Sequence, residues 1–313
     1  MRTALITGAA GFCGPHLARR LRTQSEIRII GTSRRQPRPV DLSLWDEFVC
    51  ATTLDLSETA NLVQTHRPTW IFHLAGAFTG SEADLHESNV ESTRNLLAAV
   101  RAFAPEATVL LVGSAAEYGV VPLADLPVRE SYPAAPVGAY GRAKLAATTF
   151  GMTQVIEWGA DVRVARPFNI VGAGVPTTIV TGALIDRVRR VARGEAAMVP
   201  IGNIKSQRDF VAVDDVVDAY LAMMTPACSG EIVNICSGCP CSIGALIEVL
   251  RKVSGHAIPL EPDSTLMRLG EISISFGSND KARALWGFEP RTTLAEAVAS
   301  AWAYATETTT GRQ

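Results

Sequence analysis

Thr3-Ala-Leu-Ile-Thr7-Gly8-Ala-Ala-Gly11-Phe-Cys-Gly14 is the stretch on which the fold turns. Residues 3 to 7 form a short apolar, β-branched run that stops at glycine. From about residue 12 to 23 apolar residues recur at helical spacing through Phe12, Leu17 and Leu21. The pattern is strand, tight turn, helix. Glycines at 8, 11 and 14 permit the turn and let a pyrophosphate approach the backbone. The helix N-terminus adds unpaired N–H groups and a partial positive charge.

Outward from this turn, strands and helices alternate. Strands are predicted at Ile27 to Gly31, Trp70 to Leu74, Thr108 to Val112 and Val162 to Ala165. Helices are predicted at Glu58 to Thr65, Ser88 to Phe103 and Ala139 to Trp158. Repeated βα units require right-handed crossovers and a parallel sheet covered on both faces, so residues 1–166 read as a doubly wound α/β dinucleotide-binding domain. After Arg166-Pro167 the regularity weakens, and Gly172-Ala-Gly174-Val-Pro176 reads as a loop. Helices at Ile179 to Arg193, Val213 to Met224, Ser242 to Ser254 and Leu294 to Ala305 place in 167–313 a smaller α/β lobe, with later segments free to return to the first domain. The Thr-rich end, Thr306 to Gln313, reads as a frayed tail.

Composition excludes several classes. The chain has 313 residues, 47% hydrophobic and 19% charged, enough apolar material for a sizeable core and too much for disorder. Lys plus Arg number 29 against 31 Asp plus Glu, and the net charge of -2 supplies no general field for nucleic acid. No apolar run reaches the roughly 18 to 20 residues of a membrane span, and the N-terminal run breaks too early for a signal-peptide core, so a cytoplasmic protein is expected. Cys236-Ser-Gly-Cys239-Pro-Cys241 has a metal-like spacing but lacks a neighbouring fourth ligand; no metal site and no disulfide are expected.

The end of the second strand bears on the choice of dinucleotide. A carboxylate there would bond the ribose 2′-OH of NAD and repel a 2′-phosphate. The residues are instead Ser33, Arg34 and Arg35, whose hydroxyl and guanidiniums suit a phosphate and favour NADP(H) over NAD(H). Asp55, followed by Leu56, is placed either to accept from the adenine amino group or to cap the helix near Ser57. Tyr140-Gly-Arg-Ala-Lys144 puts a phenol and an ammonium on one helix face, where a cation lowers the phenol pKa. Ser114 ends the apolar run Val109 to Val112, at the sheet edge where ligands bind. Glycine turn, strand-end serine, then tyrosine and lysine form one ordered constellation.

With Phe72-His-Leu74-Ala75-Gly76, Ser114-Ala-Ala-Glu117-Tyr118-Gly119 and Arg166-Pro-Phe-Asn169, the chain resembles the extended short-chain dehydrogenase/reductase family, in its nucleotide-sugar branch, over nearly its whole length. The resemblance implies a Rossmann domain, a C-terminal substrate-binding lobe and catalysis by Ser114, Tyr140 and Lys144. It implies cofactor contacts from Gly8, Gly11, Phe12, Gly14, Leu74 and Ala75, and from Tyr140 and Lys144. Ser114 and Asn169 would touch a bound nucleotide sugar. Members commonly form homodimers through the helices near 88–103 and 139–158, and the same is expected here.

Ile201 to Val211, Val233 to Gly238 and Trp286 to Pro290 resemble GDP-mannose 4,6-dehydratases and GDP-4-keto-6-deoxy-D-mannose reductases. By that similarity Arg208 would bind the diphosphate, Val180 would meet the nucleotide through its backbone, and Arg268 with Glu271 would hold a GDP end. The dehydratases carry an acid at the position of Ala116, and Ala115 offers none either. Glu117 is one step out of register, on a segment where one step turns a side chain away. The expectation is therefore an NADPH-dependent reductase of a GDP-linked 4-keto-6-deoxyhexose. Its rivals are a 4-epimerase or 4,6-dehydratase with the same triad and, from another class, a non-catalytic dinucleotide-responsive binding protein.

Overall fold

The computed structural model describes residues 1–266 and 272–310, with side chains through 307. The first half runs β1 (Arg2–Thr7), α1 (Cys13–Arg22), β2 (Ile27–Ser33), β3 (Glu47–Cys50), α2 (Leu56–His66), β4 (Trp70–His73), α3 (Glu82–His86), α4 (Ser92–Phe103), β5 (Thr108–Val112), α5 (Ala139–Trp158) and β6 (Val162–Pro167). The second half runs β7 (Asn169–Val171), α6 (Val180–Ala192), β8 (Val199–Ile201), β9 (Gln207–Ala212), α7 (Val213–Ala222), β10 (Ile232–Ile235), β11 (Pro240–Ser242), α8 (Ile243–Ser254), β12 (Leu260–Pro262), β13 (Ile274–Ser275), α9 (Asp280–Trp286) and α10 (Leu294–Thr310).

Seven strands form one sheet in the order β10-β6-β5-β4-β1-β2-β3, and every pairing in it is parallel. This is a doubly wound Rossmann sheet. Side-chain alternation between two covered faces explains why its strands are largely apolar. Ala4, Ile6, Ile29, Phe72, Leu110 and Ala165 face a core shared with α1 and α7, while Leu5, Ile30, Ile71, Val109, Leu111 and Val164 face one shared with α2, α4 and α5. Neither face meets water, so the polar side chains these strands do carry, such as Thr7, His73 and Arg163, are hydrogen-bonded.

Helix boundaries follow local chemistry. The Asp55 side chain accepts the Glu58 N–H and starts α2, and α5 stops at Gly159, whose φ of +75° a β-carbon would disfavour. The helix expected at Ser88 to Phe103 is not uniform. A π-helical turn covers Glu87–Glu91 before α4 begins. Within it Asn89 donates to the Ala77 and Leu85 carbonyls, and the Ser92 and Thr93 hydroxyls bond back to Ser88 and Asn89, side-chain competition that widens the turn.

Beyond residue 167 the chain moves between two assemblies. β7, β11 and β13 gather around β9, β8 pairs with β12, and α6, α8 and α10 pack over them around Leu184, Ile185, Leu246 and Val298. α7 instead lies on α1, and β10 adds the outer strand beside β6. Among the described residues no helix is long and apolar enough to cross a membrane.

Arg163 joins the returning segment to the sheet. It is fully buried on β6, and its guanidinium donates to the Met223 and Thr225 carbonyls at 2.6 and 2.8 Å and to Asp161. Arg163→Met leaves those carbonyls without a donor and is expected to lower unfolding stability by about 3 kcal/mol, measured by urea denaturation.

Candidate active site

The C-terminal ends of β1, β2 and β4 open into a cavity of about 250 Å³. Gly8, Gly11, Ser33, Arg34, Arg35, Leu74 and Ala75 line it together. Residues distant in the chain converge there because parallel strands deliver their ends to one edge. Gly8 has φ +66°, and a Cβ on it would lie 2.7 Å from the Ala75 nitrogen. Thr7 fixes this approach. Its hydroxyl meets His73 Nδ1 at 2.8 Å and accepts the Ala75 N–H at 3.2 Å. Burial, with the charge of Lys144 adding to it, pushes His73 down to about 3, so the imidazole is a neutral framework group.

The cavity suits a dinucleotide. Glycine leaves its floor bare, α1 carries no acidic residue in its first turn, and two arginines stand at the rim. Phe12 and Gly14 play a different part from cavity contact. Phe12 packs edge-on to His16 at 5.9 Å, and Gly14 is buried where a Cβ would overlap the Ala9 backbone, so it brings α1 against the turn.

Asp55 caps α2, one of the two roles its position offered. The Asp55 carboxylate accepts from Ser57 Oγ at 2.6 Å and the Glu58 N–H at 2.9 Å, bonds that hold it below the usual carboxylate range. Leu56 is the exposed first residue of α2. The neighbouring Thr52, Thr53 and Leu54 line the cavity instead, a step earlier than the sequence suggested, together with Thr7, Gly76 and Ser88.

Ser114, Tyr140 and Lys144 come together beside this cleft. The Ser114 side chain acts on the Tyr140 phenol, favouring its ionised form, and Lys144 Nζ lies 6.0 Å from the Tyr140 ring centroid. Lys144 Nζ donates to the Val112 carbonyl at 2.9 Å. Burial pushes Tyr140 up to about 12 and pulls Lys144 down to about 8. The expectation that the ammonium lowers the phenol is therefore reversed in this arrangement. Desolvation is the largest influence and outweighs the opposing effect of the Ser114 side chain, so Tyr140 is a proton-carrying phenol at neutral pH. Phe78, which the sequence reading passed over, meets the Tyr140 ring at 4.7 Å and is half exposed. Ala116 faces the same helix, where a Cβ on Gly141 would lie 2.5 Å from its carbonyl oxygen.

The residues expected to hold substrate are spread along the second lobe. Asn169 on β7 donates its amide to the Asp209 carbonyl at 2.8 Å, Arg208 on β9 donates to the Gln207 carbonyl, and Val180 opens α6. Arg268 and Glu271 lie outside the described residues. Asp209 is buried and accepts from the Ser237 N–H and hydroxyl and from the Gly238 and Gly277 N–H groups.

Residues 4–236 match the NAD dependent epimerase/dehydratase family. GDP-6-deoxy-D-mannose reductase of Pseudomonas aeruginosa is 30% identical over 309 residues, spanning 95% of this chain and 96% of the relative. dTDP-6-deoxy-L-talose 4-dehydrogenase (NAD(P)(+)) of Kitasatospora kifunensis is 31% identical over 309 residues, spanning 95% and 93%. The structure of RMD from Pseudomonas aeruginosa complexed with NADPH aligns with a TM-score of 0.86 at 27% identity, covering 98% of this chain and 100% of that one. Fold and relatives together define an NAD(P)-dependent oxidoreductase of the short-chain dehydrogenase/reductase type. The chain belongs to the NAD dependent epimerase/dehydratase family, as its sequence motifs led us to expect.

The contact of Gly8 with Ala75 makes a direct prediction. Gly8→Ala forces these backbones apart and is expected to weaken NAD(P)(H) binding about tenfold or more, measured by calorimetry.

Proposed function

We propose that the protein is a nucleotide-sugar 4-ketoreductase that uses NADPH to reduce GDP-4-keto-6-deoxy-D-mannose to GDP-D-rhamnose or its C4 epimer. The observation that carries this reading is the buried, proton-bearing Tyr140 phenol beside Ser114 and Lys144, with an alanine at position 116. Reduction of a ketone needs a proton donor, and a phenol held at about 12 keeps its proton until an alkoxide develops. Elimination of water needs a further acid, which Ala115 and Ala116 do not supply. The names of the relatives, a reductase and a 4-dehydrogenase of 6-deoxy sugars, support the same chemistry.

NADPH, when bound, supplies the hydride. Ser114 donates a hydrogen bond to the ketone oxygen and orients it toward Tyr140. Tyr140 gives its proton to that oxygen as charge builds on it. Lys144 holds the nicotinamide ribose and lowers the energy of the phenolate left behind. Arg34 and Arg35, with Ser33, take the 2′-phosphate and set the preference for NADP(H). Asn169, Val180, Arg208, Arg268 and Glu271 hold the GDP-sugar.

We also read the protein as a homodimer joined through α4 and α5, whose outward faces include exposed Ala98, Thr149 and Ile156. Its work lies in the cytoplasm, for which six free cysteines are supporting evidence. A dTDP-linked substrate is the second reading, favoured by the dTDP-6-deoxy-L-talose 4-dehydrogenase relative.

The deciding experiment mixes the protein and NADPH with GDP-4-keto-6-deoxy-D-mannose or its dTDP-linked counterpart, following nicotinamide absorbance and the product by NMR. Oxidation with GDP-D-rhamnose or its epimer is expected. Turnover of the dTDP sugar alone would reassign the base, and turnover of neither would overturn the reading. Tyr140→Phe should lose at least about a hundredfold in kcat while keeping NADPH affinity. Replacing both Arg34 and Arg35 by Ala should raise the KM for NADPH about tenfold or more, with little change for NADH.

The sign of the pH dependence follows from Lys144. Its charged form is present below its pKa, so reduction should proceed at neutral pH and decline above about pH 8. A pH profile of kcat/KM flat to pH 10 would remove Lys144 from this role.

A further inference from the structure

Glu117 is fully buried beside the triad, and the chemistry above gives it no task. It closes the short turn Ala115–Glu117 that follows Ser114. One carboxylate oxygen accepts the Ser114 backbone N–H at 2.8 Å and the Thr148 hydroxyl at 3.0 Å, and the other accepts Arg166 Nε at 2.8 Å. Arg166, itself buried on β6, lies over the Tyr118 ring at 4.8 Å. The carboxylate thus ties together the segment that presents Ser114, the helix that bears Tyr140 and Lys144, and the strand beside them. Stability is a weak reason to keep such a pair, since an apolar pair of the same volume commonly does as well or better.

We propose that Glu117, clamped by Arg166, is a positioning residue for the triad: it fixes the turn that presents the Ser114 hydroxyl and supplies negative charge near the Lys144 ammonium. The geometric half rests on closure of the turn from both ends. Ser114 Oγ accepts the Ala116 N–H at 3.1 Å while Glu117 holds the Ser114 N–H. Gly113 makes room for this, because a Cβ there would overlap the Glu117 carboxylate.

The electrostatic half rests on what faces Lys144. From β5 it meets the Val112 carbonyl, from β4 the neutral His73, and from its own helix the Tyr140 ring. Asn89 Oδ1, buried and without a hydrogen-bond donor, comes near from the π-helical turn, since a Cβ on Gly76 would lie 2.5 Å from it and 3.3 Å from Lys144 Nζ. Burial lowers the ammonium pKa, and Glu117 opposes that loss. The positive charge of Arg166 keeps the carboxylate in place without removing its effect on Lys144.

The inference rests on the reading of Lys144 as part of the triad, but its main test needs no sugar. The chain has four lysines, Lys144, Lys205, Lys252 and Lys281, so the Lys144 ε-carbon signal of isotope-labelled protein can be assigned by comparison with Lys144→Met and titrated by NMR. Glu117→Gln keeps the shape and an acceptor for the Ser114 N–H but removes the charge. Its Lys144 midpoint is expected to fall by about one pH unit or more. Glu117→Asp keeps the charge and should hold the wild-type midpoint. An unchanged midpoint in Glu117→Gln makes Glu117 a packing residue and overturns the electrostatic half. Where that variant does not fold, a midpoint in Glu117→Asp displaced by about one unit does the same.

Glu117→Asp also withdraws the carboxylate from the Ser114 N–H. On the substrate that the wild type reduces, it should lower kcat about tenfold with the KM for NADPH unchanged, and an unaltered kcat overturns the turn-fixing half. A wild type that reduces no keto-sugar sinks the proposed function and leaves the Lys144 titration standing.

Discussion

The approach of two backbones, one leaving β1 and the other leaving β4, is the constraint on which the site depends. At Gly8 the chain turns with φ +66° and passes so close to Ala75 that a single carbon would not fit. Thr7 secures the approach from the strand side through the Ala75 N–H and His73. Everything else at the sheet edge is placed relative to this contact. The rim arginines follow β2, which runs in register beside β1, and the Ser114 turn follows β5, which runs in register beside β4. A bare floor between two parallel strands is also what an extended diphosphate requires, so packing and recognition make the same demand on the same glycine.

Burial gives the triad its character. Water would leave the phenol near its ordinary pKa and the ammonium fully charged. The protein raises one and lowers the other, moving the two values apart. A proton donor and a cation with reduced hydration are thereby kept side by side. For Lys144 the cost of leaving water is offset by a specific partner, the Val112 carbonyl.

What was legible in the sequence was what depends on local pattern. The strands at 108–112 and the helix at 139–158 lie where apolar spacing placed them, because one covers the other and both must be apolar on fixed faces. The grouping of Ser114, Tyr140 and Lys144 was readable because each sits at an element end or one helical turn from its neighbour. Contacts set by tertiary geometry were not readable. Asp55 offered two roles, and only the position of the Ser57 hydroxyl and Glu58 N–H shows that its carboxylate caps α2. Glu117 was set aside for pointing away from the reacting face, and it does turn inward. Nothing in local spacing showed that Arg166 would meet it there. The widened turn at Glu87–Glu91 was hidden because polar side chains, not the apolar rhythm, produce it.

The path of the chain between its two assemblies has a mechanical consequence. It leaves the large sheet from β6 into β7, comes back from β9 into α7, leaves again from β10 into β11, returns from β13 into α9, and departs once more toward α10. A door swings on one edge, but a panel stitched to its frame along several seams does not. Asp209 adds a further stitch, gathering β9, the segment after β10 and the segment after β13 onto one carboxylate. The two assemblies are accordingly braced along several lines, and no single connection between them serves as a hinge.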